Sequence, residues 1–402
     1  TLLNGRSIYH TSPDYLAQYA RELLDAGVTL IGACCGSTPA HIRAMKQVME
    51  EFRRSVPVER QPRSRPAKSK PATRAKSVSG GQPVPARVAG STPPEADDRR
   101  SRFARNLGKK FLVTVELDIP RGLDMTPVVE GARYLRQCDI DAINITDGAR
   151  ARLRLSPIAI SSMVQSQTGI EAMTHLATRD RNMISLQSEL MSAHTFGLRN
   201  ILCITGDPTG IGDYPQATSV FDIDSSGLIR AARAMNRGVD LMGNSIEDST
   251  AFLIACAANP MADNLDAEIA KLARKVDAGA DVIFTQPIYE MQTLERFLDR
   301  IHQWSIPLIL GVLPLRSHKH AEFLHNEIPG MVIPKSIRER LQKAGEGAPE
   351  AGIDIAISFL SSARPLVAGA YLMPPFKKYD IVPRILESAG IRGKGDSPHI
   401  PG

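Results

Sequence analysis

Long apolar runs are missing from this 402-residue chain. Nothing approaches the ~20 consecutive apolar residues that span a bilayer, and the N-terminus lacks the charged-then-apolar layout of a secretory signal. A membrane protein is therefore not expected. Cysteine is scarce: there are 5, an odd number, and all but two are widely spread. That pattern excludes a disulfide framework and makes a reducing, cytoplasmic compartment the expectation. The first residue is Thr rather than Met, so the chain is read as processed or as a piece of something longer. What remains is a soluble balance, 43% hydrophobic with a mean hydropathy of −0.15. That is enough for one large barrel with appendages, or for two or three domains.

Acidic residues are nearly absent from one segment. Residues 53–110 hold 16 Lys/Arg against 4 Asp/Glu, a surplus that exceeds the whole-chain net charge of +6 and leaves the rest of the chain at −6. Basicity therefore belongs to this stretch, which is rich in Pro, Ser, Gly and Arg and almost without large apolar side chains. Such a composition cannot bury enough surface to offset its ordering entropy, so a disordered linker is expected. Basic tails attract phosphate. The stretch has no interleaved aromatics and no recognisable module, however, and the solvated linker is favoured over a nucleic-acid partner.

Beyond it the pattern becomes regular. β-rich runs recur as "FLVTVEL" (111), "AINIT" (142), "EAMTHLA" (171), "NILCITG" (200), "FLIACAAN" (252), "DVIFTQP" (281), "LILGVLP" (308) and "VAGAYLMPP" (367). Amphipathic helical stretches such as "LDAEIAKLARKVDAGA" and "MQTLERFLDRIHQW" lie between them. Eight alternations predict an α/β fold, a (β/α)8 TIM barrel. A doubly wound sheet would need a Gly-rich turn after its first strand, and "DIPRGLDMTP" is not G-x-G-x-x-G.

Barrels of this kind carry their chemistry at the C-terminal strand ends. Those ends hold Glu116, Thr146 with Asp147, His175, Asp207, Asn259, Gln286 and Pro314. Singly, Glu116 and Asp207 read as cap or loop carboxylates, His175 as a core histidine and Gln286 as a loop hydrogen-bonder. Jointly, one polar residue per strand end favours a pocket for a polar heteroaromatic ligand. The loop "TGDPTGIGDYP" (205–215) could turn backbone N–H groups toward a phosphate or flat ring, but it lacks the Gly-Lys-Ser/Thr of a P-loop. Lys275, near a helix C-terminus, reads first as a carbonyl cap.

In sequence order, "VELD", "NITDGARARLRLSP", "THLATRDRN", "ITGDPTGIGDYP", "FDIDSSGLIRAARAMNRGVDLMG", "RKVDAGADVIFTQPIYE" and "GVLPL" resemble the methylenetetrahydrofolate reductase family from about 111 to 390. The variant most resembled is the bacterial one fused behind a homocysteine S-methyltransferase domain. The resemblance implies FAD-dependent reduction of 5,10-methylenetetrahydrofolate to 5-methyltetrahydrofolate with NADH or NADPH, in one-carbon metabolism and methionine synthesis. It implies Glu116 as the general acid that protonates N10 of the folate, a role a shielded carboxyl can fill near neutral pH. Asp207 would face the flavin N1–C2=O edge and help orient the pterin, and Gln286 would hydrogen-bond the substrate. Thr146, His175 and Lys275 would touch the flavin, and Asn259 and Glu268 would hold its ribose and adenine end. There are departures. Ile119 replaces a proline, His318 stands where an aromatic usually stacks on nicotinamide or folate, and Thr205 replaces an arginine of the simpler members. The partners implied are the folate and the nicotinamide nucleotide, with a homo-oligomer left open.

The opening region carries a second resemblance. Adjacent thiols pair poorly with each other but make soft metal ligands. "GACCGSTPAHI", preceded by "SPDYLAQYARELLDAGVTLI", is similar to the last strand and helix of a homocysteine S-methyltransferase barrel. In that family two such cysteines and a third bind zinc, which activates the homocysteine thiolate. Cys34 and Cys35 would be two ligands of an incomplete site, with zinc held only in an intact methyltransferase domain. The expected layout is thus 1–52, a methyltransferase remnant (the last β–α unit of a partial second barrel); 53–110, the linker; 111–392, the reductase barrel; and 393–402, a tail. Two other functions compete: a non-catalytic fragment tethered by the basic linker, and a flavin-free pterin-binding barrel enzyme.

Overall fold

A computed structural model of the chain describes residues 12–33, 37–55, 99–328 and 330–392, together with the strand pairs Leu2–Leu3 and Arg6–Ser7. The expected linker between 56 and 98, the tail from 393, and Cys34 and Cys35 lie outside the described residues. The chain divides into two compact units, 1–87 and 88–402.

In the first unit, Leu2–Leu3 pairs antiparallel with Arg6–Ser7, and helices Pro13–Asp25 and Pro39–Ser55 follow. Ser12 caps the first helix by accepting from the Tyr15 amide at 3.2 Å, with Pro13 at the first position. The only described hydrophobic residues buried here are Ala20, Leu24 and Met45. Residues 30–33, the described part of the run read from sequence as a strand, do not form one, and Leu30 is 89% exposed. A strand needs a neighbour to satisfy its backbone, and no described strand of this unit pairs with it.

The second unit is the predicted barrel. Eight parallel strands close on themselves in sequence order: Leu112–Glu116, Ala142–Ile145, Glu171–Ala177, Asn200–Ile204, Leu253–Ala258, Val282–Thr285, Leu308–Val312 and Gly369–Leu372. We refer to them as the first to eighth barrel strands. Strands buried on both faces read as continuous apolar runs, and alternate residues divide between two cores. Val113, Val115, Ile143 and Ile145 face the helical shell. Leu112, Ala142, Met173, Leu202, Leu253, Val282 and Ile309 fill the barrel. The long gap after the seventh strand holds helices His318–Glu327, Lys335–Ala344 and Ala348–Ala363 around a satellite core.

The expected linker does not run to residue 110. Residues 102–106 form a helix whose Phe103, 1% exposed, packs into the barrel interior beside Leu112 and Met173. The Arg102 and Phe103 amides donate to the Glu171 carboxylate at 2.7 and 3.0 Å, and Ser101 donates to Asn200 Oδ1 at 2.5 Å. The barrel domain thus includes residues from at least Ser101 onward, and this segment closes its floor. Phe103→Ala should cost about 3–5 kcal/mol of unfolding free energy, read by urea denaturation. An unchanged midpoint would mean the segment is linker after all.

Candidate active site

Parallel strands put their C-terminal ends on one face of a barrel, and Glu116 is the last residue of the first strand. Its side chain is half-buried, and its Oε2 accepts a hydrogen bond from the Tyr371 hydroxyl on the eighth strand. Tyr371 is 5% exposed. Its ring is held edge-on by Phe284 at 5.8 Å and His175 at 6.3 Å between centroids. Desolvation raises the Glu116 pKa above the usual carboxylate value and the charge of Asp118 adds to this, while the Tyr371 bond works against it. The phenol itself is pushed well above its ordinary value by burial and by Glu116, so it acts as a donor.

Around this pair sit polar atoms without partners. Thr114 Oγ1, Asn144 Nδ2 and Oδ1, and His175 Nε2 are buried and make no hydrogen bond. Thr114 lies two residues below Glu116 on the same strand face, and Asn144 is the register partner of Glu116. The Asn144 amide lies near enough to act on the Tyr371 hydroxyl but completes no hydrogen bond with it. Each orphaned group costs about 1–3 kcal/mol, so a cluster of them calls for an outside partner. Desolvation pushes the His175 pKa down to about 3, leaving a neutral imidazole.

The rim is pinned by charge. Buried Asp147 accepts from the Ala177 amide at 2.8 Å and from Arg181 at 2.6 Å. Arg179, 3% exposed, donates to the carbonyls of Gly148 and Asp207, both at 3.3 Å, and to the Asp180 carboxylate. The exposed Asp207 carboxylate accepts from the Arg150 amide at 2.9 Å. Arg150 and Ala151 both have positive φ, an uncommon conformation for such residues. Gly212 has no side chain for a reason: a Cβ there would lie 2.0 Å from the Ala151 carbonyl oxygen. The Arg150 guanidinium stands 5.9 Å from the Phe323 ring, so a loop after the second strand meets a helix after the seventh across the mouth.

The structure thus gathers Glu116 and His175 around Tyr371, with Thr146 half-buried just beyond the second strand and Gln286 exposed beyond the sixth. Other expected site residues are engaged with the chain itself. Lys275 Nζ donates to the carbonyl of Ala257 in the fifth barrel strand at 2.7 Å, not to the terminal carbonyls of its own helix as its position suggested. Glu268 accepts from the Asn259 amide at 3.0 Å, and the Asn259 side chain donates to the Gly330 carbonyl at 3.1 Å. His318 is half-buried, its Nδ1 3.1 Å from the Arg338 carbonyl oxygen. Tyr371, Asn144, Thr114 and Arg179 were not singled out from sequence. The first three lie in strands buried on both faces, so their inward direction shows only once the strands are paired. A surface groove of ≈ 550 Å³, lined in part by Lys109, Lys110 and Arg364, opens at the opposite end of the barrel, away from this cluster.

A closed parallel barrel with a shielded carboxyl and unpartnered polar groups at its C-terminal mouth defines a (β/α)8 protein built to bind a polar ligand. The chain belongs to the methylenetetrahydrofolate reductase family, whose model matches residues 101–373, and a homocysteine S-methyltransferase model matches residues 2–49. Methylenetetrahydrofolate reductase 1 of Schizosaccharomyces pombe is 24% identical over 64% of this chain and 42% of its own length. The 5,10-methylenetetrahydrofolate reductase of Salmonella typhimurium is 28% identical over 45% of this chain and 56% of its own. The chain therefore spans less than two thirds of either relative. A solved structure, an uncharacterised protein from Clostridium thermocellum described as binding two copies of 5-methyl-5,6,7,8-tetrahydrofolic acid, shares the fold with a TM-score of 0.51. It is 16% identical and covers 74% of this chain and 96% of its own.

Because the folded-state pKa of His175 is about 3, the unfolded chain binds a proton there that the folded one does not. Its contribution is complete above about pH 6.5 and declines as pH falls toward the folded value, by roughly 1.4 kcal/mol per pH unit. Urea midpoints for His175→Gln should fall less steeply between pH 6.5 and 4 than those of the wild type. Parallel curves would contradict a neutral, unpaired His175.

Proposed function

We propose that the barrel is a flavin-dependent methylenetetrahydrofolate reductase that reduces 5,10-methylenetetrahydrofolate to 5-methyltetrahydrofolate with NADH or NADPH. The reading rests first on Glu116: a carboxyl at the barrel mouth, held toward its protonated form by desolvation and bordered by orphaned polar groups. Family membership supports the substrate class, as does the 5-methyl-5,6,7,8-tetrahydrofolic acid that the Clostridium thermocellum protein is described as binding.

FAD fits the groups present. His175 Nε2 is buried and unpartnered, Thr146 is half-buried, and the exposed Asp207 carboxylate keeps Oδ1 available beside its bond to the Arg150 amide. When bound, FAD supplies a hydride carrier between the nicotinamide and the folate. His175 and Thr146 would hold its ring edge. Asp207 would set a negative charge beside it and orient the pterin, and Gln286 would bind the substrate. His318 would flank the nicotinamide or folate, and Asn259, Glu268 and Lys275 would border the ribose and adenine end. Arg179 provides the cation next to Gly206, in a region where Thr205 replaces the family's arginine.

Glu116 acts on the folate. N10 is a poor leaving group until protonated, so the carboxyl gives its proton to N10 as the bridging C–N bond breaks, and the electron pair stays on nitrogen. The iminium so formed is the hydride acceptor. Desolvation shifts Glu116 toward its protonated form, the form that can deliver a proton. A reducing, cytoplasmic setting belongs to the same reading, supported by the free thiols of Cys138, Cys203 and Cys256. The 1–52 region is a methyltransferase-like segment in this reading, and zinc at Cys34 and Cys35 depends on ligands supplied elsewhere.

Purified protein should take up FAD, absorb in the flavin bands and bleach on adding NADH or NADPH. Protein that stays colourless with added FAD would favour a flavin-free or non-catalytic role. In Glu116→Gln, bleaching by NAD(P)H should persist while folate-dependent reoxidation falls by roughly 100-fold or more. Equal loss of both half-reactions would remove Glu116 from the acid role.

A further inference from the structure

The Tyr371 hydroxyl carries a proton that, among the described residues, has one acceptor. Asn144 completes no hydrogen bond with it, and the phenol donates to Glu116 Oε2. Of the two oxygens of a carboxyl, the carbonyl oxygen is the better acceptor, so the oxygen that takes the phenol's proton is the one that does not carry the carboxyl proton. In the acid form this favours the proton on the other oxygen, Oε1.

We propose that Tyr371 is a positioning residue for proton delivery: by gripping Glu116 at Oε2 it assigns the transferable proton to Oε1 and stabilises the carboxylate left after transfer. This rests on the reading of Glu116 as the acid. The chemistry balances without another reactant. Glu116 loses one proton to the substrate nitrogen as the C–N bond breaks, Tyr371 keeps its own, and solvent restores the carboxyl before the next turnover.

Two features make the grip directional. The phenol cannot drift, because its ring is buried between Phe284 and His175 on a strand hydrogen-bonded on both sides, with Thr114 and Gly311 as register partners. A hydrogen bond to a carboxylate is also stronger than one to a neutral carboxyl. The contact therefore tightens as the proton leaves, favouring the transition state over the ground state. The titratable groups near Glu116 are Asp118 in the following turn, whose charge opposes ionisation, Tyr379, Tyr371 itself, and His175 beyond the Tyr371 ring. Tyr379 accepts from the Asp118 amide at 3.0 Å and makes no hydrogen bond to Glu116, and His175 is neutral. Tyr371 is the group that favours the charged form.

The test is Tyr371→Phe, which keeps the ring and its packing. Carboxyl carbons are labelled in glutamate, and the Glu116 resonance, identified by its loss in Glu116→Gln, is titrated by NMR in protein without cofactor. Removing the phenol should raise the midpoint by about 1–2 pH units, the size expected for one hydrogen bond to a charged group. In FAD-loaded protein the same variant should reduce its flavin with NAD(P)H within about twofold of wild type while folate-driven reoxidation slows by about 10-fold or more. An unmoved midpoint overturns the grip. A moved midpoint with an unchanged folate step, or equal loss in both half-reactions, overturns the role in delivery. Should wild-type protein refuse flavin altogether, the reductase reading falls while the titration still decides whether Tyr371 controls Glu116.

Discussion

A carboxyl placed at the inner top of a barrel, with one phenol as its hydrogen-bond donor and no cation beside it among the described residues, is the constraint on which the site depends. Desolvation dominates the behaviour of Glu116. A lysine or arginine in contact would lower its pKa and make it an ordinary carboxylate. The arginines of the mouth are instead engaged elsewhere. Arg181 serves Asp147, Arg179 serves Asp180 and two loop carbonyls, and Arg150 reaches Phe323. Cationic charge is thus kept on the rim and away from the acid.

The scaffold supports this arrangement at both ends. At the floor, Phe103 and the Ser101–Asn200 and Glu171 hydrogen bonds close the barrel to solvent. In the middle, aliphatic side chains fill the interior up to Met173 and Leu202. Only in the upper part do Thr114, Asn144, Glu116, His175 and Tyr371 interrupt the apolar lining. Leaving several buried polar atoms unpaired costs stability, and a fold tolerates such a cost most readily where a ligand restores the missing bonds.

The barrel was legible because each strand is a short apolar run between turn residues, at spacings that match a strand–helix unit. Lys275 reads locally as a helix cap, but it bonds a strand carbonyl 18 residues away, which local sequence does not show. Other features depend on distant neighbours. Residues 102–106 form a short helix inside a basic, Pro- and Ser-rich stretch, and only contact with the barrel floor makes Phe103 a core residue. The run at Leu30 has the composition of a strand but no described partner in its unit. Tyr371 was hidden because its strand is buried on both faces, so polarity does not mark the inner side. Its meaning comes from the closure that sets it beside the first strand. Asn144 and Thr114 were hidden likewise, being polar residues inside runs that read as apolar.

If Glu116 delivers a proton that it holds more tightly than an ordinary carboxyl, the two half-reactions must differ in their response to pH. Anaerobic stopped flow on wild-type, FAD-loaded protein measures both. Folate-driven reoxidation should decline as pH rises through a value above the usual carboxylate range, while flavin reduction by NAD(P)H shows no such limb. A folate step that is flat with pH, or that is already lost at the pH where an ordinary glutamate ionises, would contradict the role of Glu116.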